Sequence, residues 1–302
     1  MQIQKCSYGG WNNCLELIND QVKLVITLDV GPRIIFYGFT EGQNLLKNFT
    51  EQLGQTGGEE WKIYGGHRLW HAPEVMPRTY FPDNTPVSYK CEGRKVILDC
   101  PPENTNNLKK IIEIELDADS SEVKLSHKIF NTGYWDLEFS TWCLTVMAPE
   151  GRAIIPQEPY VPHGSGENES FAPARPLVLW QYTKMDDPRF TWGAKYIQFR
   201  EDSRFDSSQK FGILNKQGWA AYALKGDLFV KKQTYEPGAQ YPDYNCNAEY
   251  FTKPGFLEME TFSPLKRVAR GEYLENRETW SLFKVDVSED EADIDAKVLP
   301  LI

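Results

Sequence analysis

The chain has 302 residues and a formal net charge of −10, with 41% hydrophobic and 25% charged residues. That hydrophobic share supports a sizeable core and excludes a disordered chain, while the acidic balance, with no Lys/Arg cluster, excludes nucleic acid as an expected partner. No apolar run reaches membrane-helix length, and the start MQIQKCSYGGWNN has no apolar signal segment, so a cytoplasmic protein that does not engage a membrane is expected.

The predicted elements are strands almost throughout. Residues 22–30 (VKLVITLDV) and 33–39 (RIIFYGF) are β-branched and aromatic runs joined by the turn signal Gly31-Pro32. Residues 42–49 (GQNLLKNF) suggest one helical turn. Residues 50–90 read as loop-rich. Strand patterns resume at 95–100, 109–117 and 122–130, where KIIEIEL alternates apolar and charged residues as a strand with one solvated face does. Further strands are predicted at 137–147, then, after a second loop-rich stretch at 148–176, at 177–183, 194–200, 219–226, 228–235, 256–262 and 279–287. The tail 288–302 suggests an acidic turn of helix. Convincing amphipathic helices are absent, and no composition shift or Gly/Ser linker divides the chain. The pattern predicts one all-β domain over 1–302, a sandwich or barrel. The aromatic share of 13% suits β-sheet or a stacking surface. The six cysteines are scattered without a CxxC pair, which suits reduced thiols.

Half of the four histidines fall in GGHRLWHAPE, residues 65–74. His67 and His71 have the i,i+4 spacing of a zinc-protease helix, but Arg68 stands where that motif needs its general-base Glu, and Gly65-Gly66 and Pro73 argue against a long helix. No metal and no cofactor are therefore expected. A sugar or organic acid suits the stretch better. Arg68 offers a planar donor fork, Trp70 a face for an apolar sugar surface, and the histidines groups that move protons near neutrality. The segment reads as a ligand-binding loop at the mouth of a site.

A second constellation is FLEMETF. Glu258 and Glu260 lie two apart in a predicted strand and so share one face, with Leu257 and Met259 on the buried one. Facing solvent, the pair is ordinary surface; lining a pocket, two like charges raise one pKa and give a general acid or base. Asp243, Asn247 and Glu249 read as turn residues or as members of the same pocket, His127 as structural, and His163 as part of an exposed loop, one able to cover a site.

These segments also carry a resemblance. GPRIIFYGFTEGQNLL, VKLSHKIFNTGYWDLEFSTWCLTVM and FLEMETFSPL followed by RGEYLENRETWSLFKV resemble the galactose mutarotase-like (aldose 1-epimerase-like) superfamily. GGHRLWHAPE, PDNTPV, YPDYNCNAEYF and LEMETFSPL together resemble a bacterial subfamily of it. The resemblance implies a large antiparallel β-supersandwich with its site in the concave face of one sheet. It implies a small-molecule carbohydrate as ligand and isomerase chemistry at the anomeric centre. Glu260 then matches the base, with Glu258 second. Arg68 matches the arginine that holds the sugar, and His71, less closely His67, an upstream histidine. The family's acid histidine has no counterpart: Trp142 stands near its place, and indole does not donate a proton at neutral pH. The implied site is thus Glu260, Glu258, His71 and His67 for catalysis, with Arg68, Trp70, Trp142 and His163 holding substrate. A loop histidine serves as acid if the protein turns sugar over. The alternatives are a non-catalytic carbohydrate-binding module or a polysaccharide-processing enzyme such as a lyase. Oligomeric state is left open.

Overall fold

The computed structural model describes residues 1–164, 166 and 171–302. Among these, the strands form two large antiparallel sheets, one of eleven strands and one of ten. Long-range strand pairing dominates, and the helical segments are short: Pro242–Asn245, Glu291–Lys297 and Leu299–Leu301. Glu291–Lys297 is the acidic tail helix expected, started by Asp290, whose side chain accepts from the Ala292 amide. The helical turn expected at 42–49 is instead irregular chain that makes single bridges, Leu46 to Met147 and Asn48 to Gly65.

The two sheets pack face to face. Their facing side chains form one apolar core, to which Leu69, Cys143, Met147, Leu257 and Met259 contribute from the first sheet and Ile112, Leu125, Phe229 and Trp280 from the second. The centre of the first sheet is built from His67–Ala72, Leu137–Met147, Phe256–Phe262, Ala248–Lys253 and Gln209–Ile213, side by side in that order. Both faces of these strands are covered. His67–Ala72 and Phe256–Phe262 are buried at every position.

That burial overturns one sequence reading. GGHRLWHAPE is not a loop at the mouth of a site; its middle is a strand in the centre of the sheet. Gly65 and Gly66 let the chain enter there. Both have positive φ, +108° and +71°, and a Cβ would lie 2.0 Å from the Lys47 carbonyl oxygen at the first and 2.1 Å from that of Ile34 at the second. Only glycine tolerates that conformation and approach.

Candidate functional site

Strand register decides which side chains meet. Arg68 lies opposite Leu144, Leu144 opposite Glu260, and Glu260 opposite Glu249. Trp70 lies opposite Trp142, which lies opposite Phe262, while Glu258 faces Phe251 and Phe251 faces Lys210. Because side chains alternate along a strand, all of these project from the face turned away from the other sheet. They surround a cavity of ≈ 310 Å³ lined by Arg68, Trp70, Trp142, Lys210, Glu258 and Glu260, with Trp61, Glu74, Tyr80 and Tyr182 from the chain around it. Arg68, Glu258 and Glu260, about 190 positions apart in sequence, therefore meet in one place.

One wall is aromatic. Trp61, Trp70, Tyr80 and Trp142 meet edge to face, with ring centroids 4.8–5.3 Å apart, and Phe262 stacks on Trp142 at 5.4 Å. The Arg68 guanidinium lies over Trp70 at 4.6 Å and over Trp61 at 5.6 Å. Its Nη2 donates to Glu258 Oε1 at 3.0 Å. Its Nε and Nη1 are buried and have no protein partner. A buried guanidinium that wastes two donors loses free energy, so a ligand bearing acceptor oxygens fits this position.

Charge is concentrated opposite that wall. Glu260 Oε2 accepts from Trp142 Nε1 at 2.8 Å and from Lys210 Nζ at 3.1 Å. Lys210 also pairs with Glu249 at 2.7 Å, and its ammonium lies over the rings of Trp142 and Trp180 at 5.0 and 4.7 Å. Burial pushes the Glu260 carboxyl up to about 7 against the pull of Lys210, with Glu258 adding to the rise. Burial likewise pushes the Glu249 carboxyl up, and the Lys210 ammonium pulls against it. Burial works against the Lys210 ammonium, but Glu249 and Glu260 outweigh it, and the amine is held well above its ordinary value. The result is a carboxyl that changes charge near neutrality beside a cation that does not.

The histidines lie elsewhere. None of the four lines this cavity. His67 and His71 alternate with Arg68 and Trp70 and so point to the other side of the strand, while His163 is exposed and borders a separate cavity with Tyr160 and Arg175. His71 is buried with neither ring nitrogen hydrogen-bonded. Burial, assisted by the charges of Lys110 and Arg78, lowers it to about 3, so it stays neutral.

His67 belongs to a closed chain between the sheets whose proton positions follow from one end. The Asn276 carbonyl, 3.1 Å from His127 Nδ1, can only accept, so Nδ1 carries the proton. Burial holds both imidazoles neutral, so His127 Nε2 accepts, 2.7 Å away, from His67 Nε2. His67 Nδ1 then accepts from Thr145 at 2.9 Å, and Thr145 accepts from Lys231 at 2.9 Å. Lys231 pairs with Glu278 at 3.0 Å. His67, His127 and Glu278 have metal-ligating atoms within 4.8 Å of one another. Every one of those atoms is already engaged, Glu278 accepting also from Thr261 and from Trp280 Nε1. The arrangement braces the core beneath the site.

Lys210 does not stand out in the sequence, and Glu249 reads there as a turn residue or as a member of the pocket. Lys210 sits in the five-residue strand Gln209–Ile213, fully buried and without alternation. The one local signal is Gly212, on the same face two residues on, where a Cβ would lie 2.7 Å from Cys246 Sγ and 3.2 Å from Glu249 Cγ.

With two packed antiparallel sheets and a concave, aromatic-walled cavity, the chain has the galactose mutarotase-like fold. Solved structures with this architecture include a putative mutarotase, YeaD, from Salmonella typhimurium (TM-score 0.57, 10% identity, covering 90% of each chain). A galactose mutarotase-like protein from Lactobacillus casei matches with a TM-score of 0.56 at 9% identity, over 90% of this chain and 100% of that one. A TPR-domain containing protein from Parabacteroides distasonis matches with a TM-score of 0.60 at 12% identity over 91% of this chain, which spans about half (48%) of that protein. At these identities the likeness is one of fold. No family model and no curated protein matches the sequence. No helix among the described residues is long and apolar enough to cross a membrane.

Proposed function

We propose that the cavity binds a carbohydrate and that Glu260 exchanges a proton with its anomeric hydroxyl, an aldose 1-epimerase-like activity. The observation that carries this reading is a buried carboxyl, Glu260, held by Trp142 and Lys210 at a cavity with an aromatic wall. A general base works best when its pKa lies near the working pH. The apolar face of a pyranose stacks on Trp70 and Trp142, while Arg68 donates from its unpartnered Nε and Nη1 to hydroxyl oxygens and Glu258 accepts from a hydroxyl. The fold supports the same class of ligand.

Polarimetry of freshly dissolved α-glucose, α-galactose and other aldoses tests the reading. Wild type accelerates the approach to anomeric equilibrium, and Glu260→Gln lowers that rate by roughly 10²–10⁴-fold, the usual worth of one proton-transfer group. The absence of histidine from the cavity favours one competing reading, a binding protein without turnover. In that case sugar raises the melting temperature by mass action while wild type leaves the rate of mutarotation unchanged.

A further inference from the structure

Opening a pyranose ring moves two protons. The anomeric hydroxyl, O1–H, gives one up while the ring oxygen, O5, takes one, and both oxygens are bonded to the same carbon. Whatever takes the first proton and supplies the second must therefore sit close together. In this cavity one cation lies beside Glu260: Lys210, 3.1 Å from Glu260 Oε2, buried, and held over Trp142 and Trp180. The other acidic hydrogens nearby are less suited. Trp142 Nε1 is already given to Glu260 and the Tyr80 hydroxyl to Glu74, and burial pushes the Tyr182 hydroxyl up to about 12.

We propose that Lys210 is the catalytic acid of this site, protonating the ring oxygen while Glu260 deprotonates the anomeric hydroxyl. This rests on the carbohydrate reading above and names the second proton-transfer group it requires. In the step, the Glu260 carboxylate takes the O1 proton, the O1–H electron pair becomes the C1=O π bond, and the C1–O5 pair leaves with O5. O5 takes its proton from the Lys210 ammonium. The products are the open-chain aldehyde, a neutral Lys210 amine and a protonated Glu260. Rotation about C1–C2 presents the other carbonyl face, and ring closure runs the same transfers in reverse, so no oxidant, metal or cofactor is consumed. A departing alkoxide is more basic than an alkylamine, so even an ammonium held above its ordinary pKa can protonate it. Glu249, 2.7 Å from Lys210 on the neighbouring strand, keeps the ammonium in place when Glu260 is neutral.

Lysine and arginine separate the proton from the charge. Lys210→Arg keeps a cation between Glu249 and Glu260 and so preserves the buried ion pairs, but a guanidinium does not give up its proton. Lys210→Met removes both. The expected result is that both variants lose roughly 10²–10⁴-fold in kcat, with KM within a few-fold and sugar still raising the melting temperature. A Lys210→Arg variant that keeps kcat within about tenfold of wild type overturns the proposal, because charge alone then suffices. If Lys210→Met does not fold, Lys210→Arg alone decides. Failure of the two readings is distinguishable. Wild type inert toward every aldose removes the epimerase reading and this proposal with it. Wild type active, Glu260→Gln inactive and Lys210→Arg fully active removes the Lys210 role alone.

Discussion

His71 should make the protein sensitive to mild acid, and His71→Leu should remove much of that sensitivity. The ring is buried with both nitrogens unpartnered, and its folded pKa is about 3 against an ordinary 6.5. The unfolded chain therefore takes up a proton near pH 6.5 that the folded chain refuses until about pH 3. Stability from this group is full above pH 6.5 and falls as pH drops through that window. A difference of 3.5 units amounts to about 5 kcal/mol in all, of which about 2 kcal/mol is lost by pH 5. For a chain of this length that corresponds to a fall in melting temperature of about 3 °C. Leucine is close to histidine in volume and has no buried donor or acceptor to leave unsatisfied, so the variant should also gain about 1–3 kcal/mol at neutral pH. Thermal denaturation of both proteins from pH 4 to 8 checks this. Curves that stay parallel as pH falls would refute the reasoning, because the ring would then titrate alike folded and unfolded.

Glu260 predicts the opposite slope: its folded pKa is raised from 4.5 to about 7, so wild type loses stability relative to Glu260→Gln as pH rises through that interval, measured by the same denaturation series. Activity that depends on the carboxylate should likewise rise with pH through about 7 in initial-rate polarimetry. Arg68→Met should cost about 3–5 kcal/mol by leaving Glu258 buried without its partner, and adding Glu258→Gln should recover most of that in urea unfolding while sugar binding stays lost. Long-range nitrogen–proton NMR should show His67 protonated on Nε2 only and His127 on Nδ1 only at pH 6; a doubly protonated ring in either would break the hydrogen-bond chain derived for the core.

The sheet content and the Glu258/Glu260 face were legible because Phe256–Phe262 keeps a period of two between carboxylates and apolar side chains. The Arg68–Trp70 pair was legible as chemistry but not as a strand. Gly65, Gly66 and Pro73 look like loop punctuation, and both faces of His67–Ala72 are buried, so no polar alternation marks it. The same fact misplaced the histidines. Once the segment is a strand, residues 67 and 71 cannot share a face with 68 and 70. Lys210 has Gly212 as its one local signal, because its partners, Glu249 and Glu260, come from other strands and its environment exists only after they pair. Glu249 next to a turn composition reads as a turn residue for the same reason.

The proposed function requires that sugar occupy the cavity over Trp70 with Arg68 and Glu260 in contact. A crystal soaked in mixed monosaccharides measures this directly. The expected result is density for one pyranose stacked on the Trp70–Trp142 wall, with hydroxyl oxygens at hydrogen-bond distance from Arg68 Nε or Nη1 and the anomeric oxygen against Glu260. Density for sugar outside this cavity, or an empty cavity at saturating sugar, would contradict it.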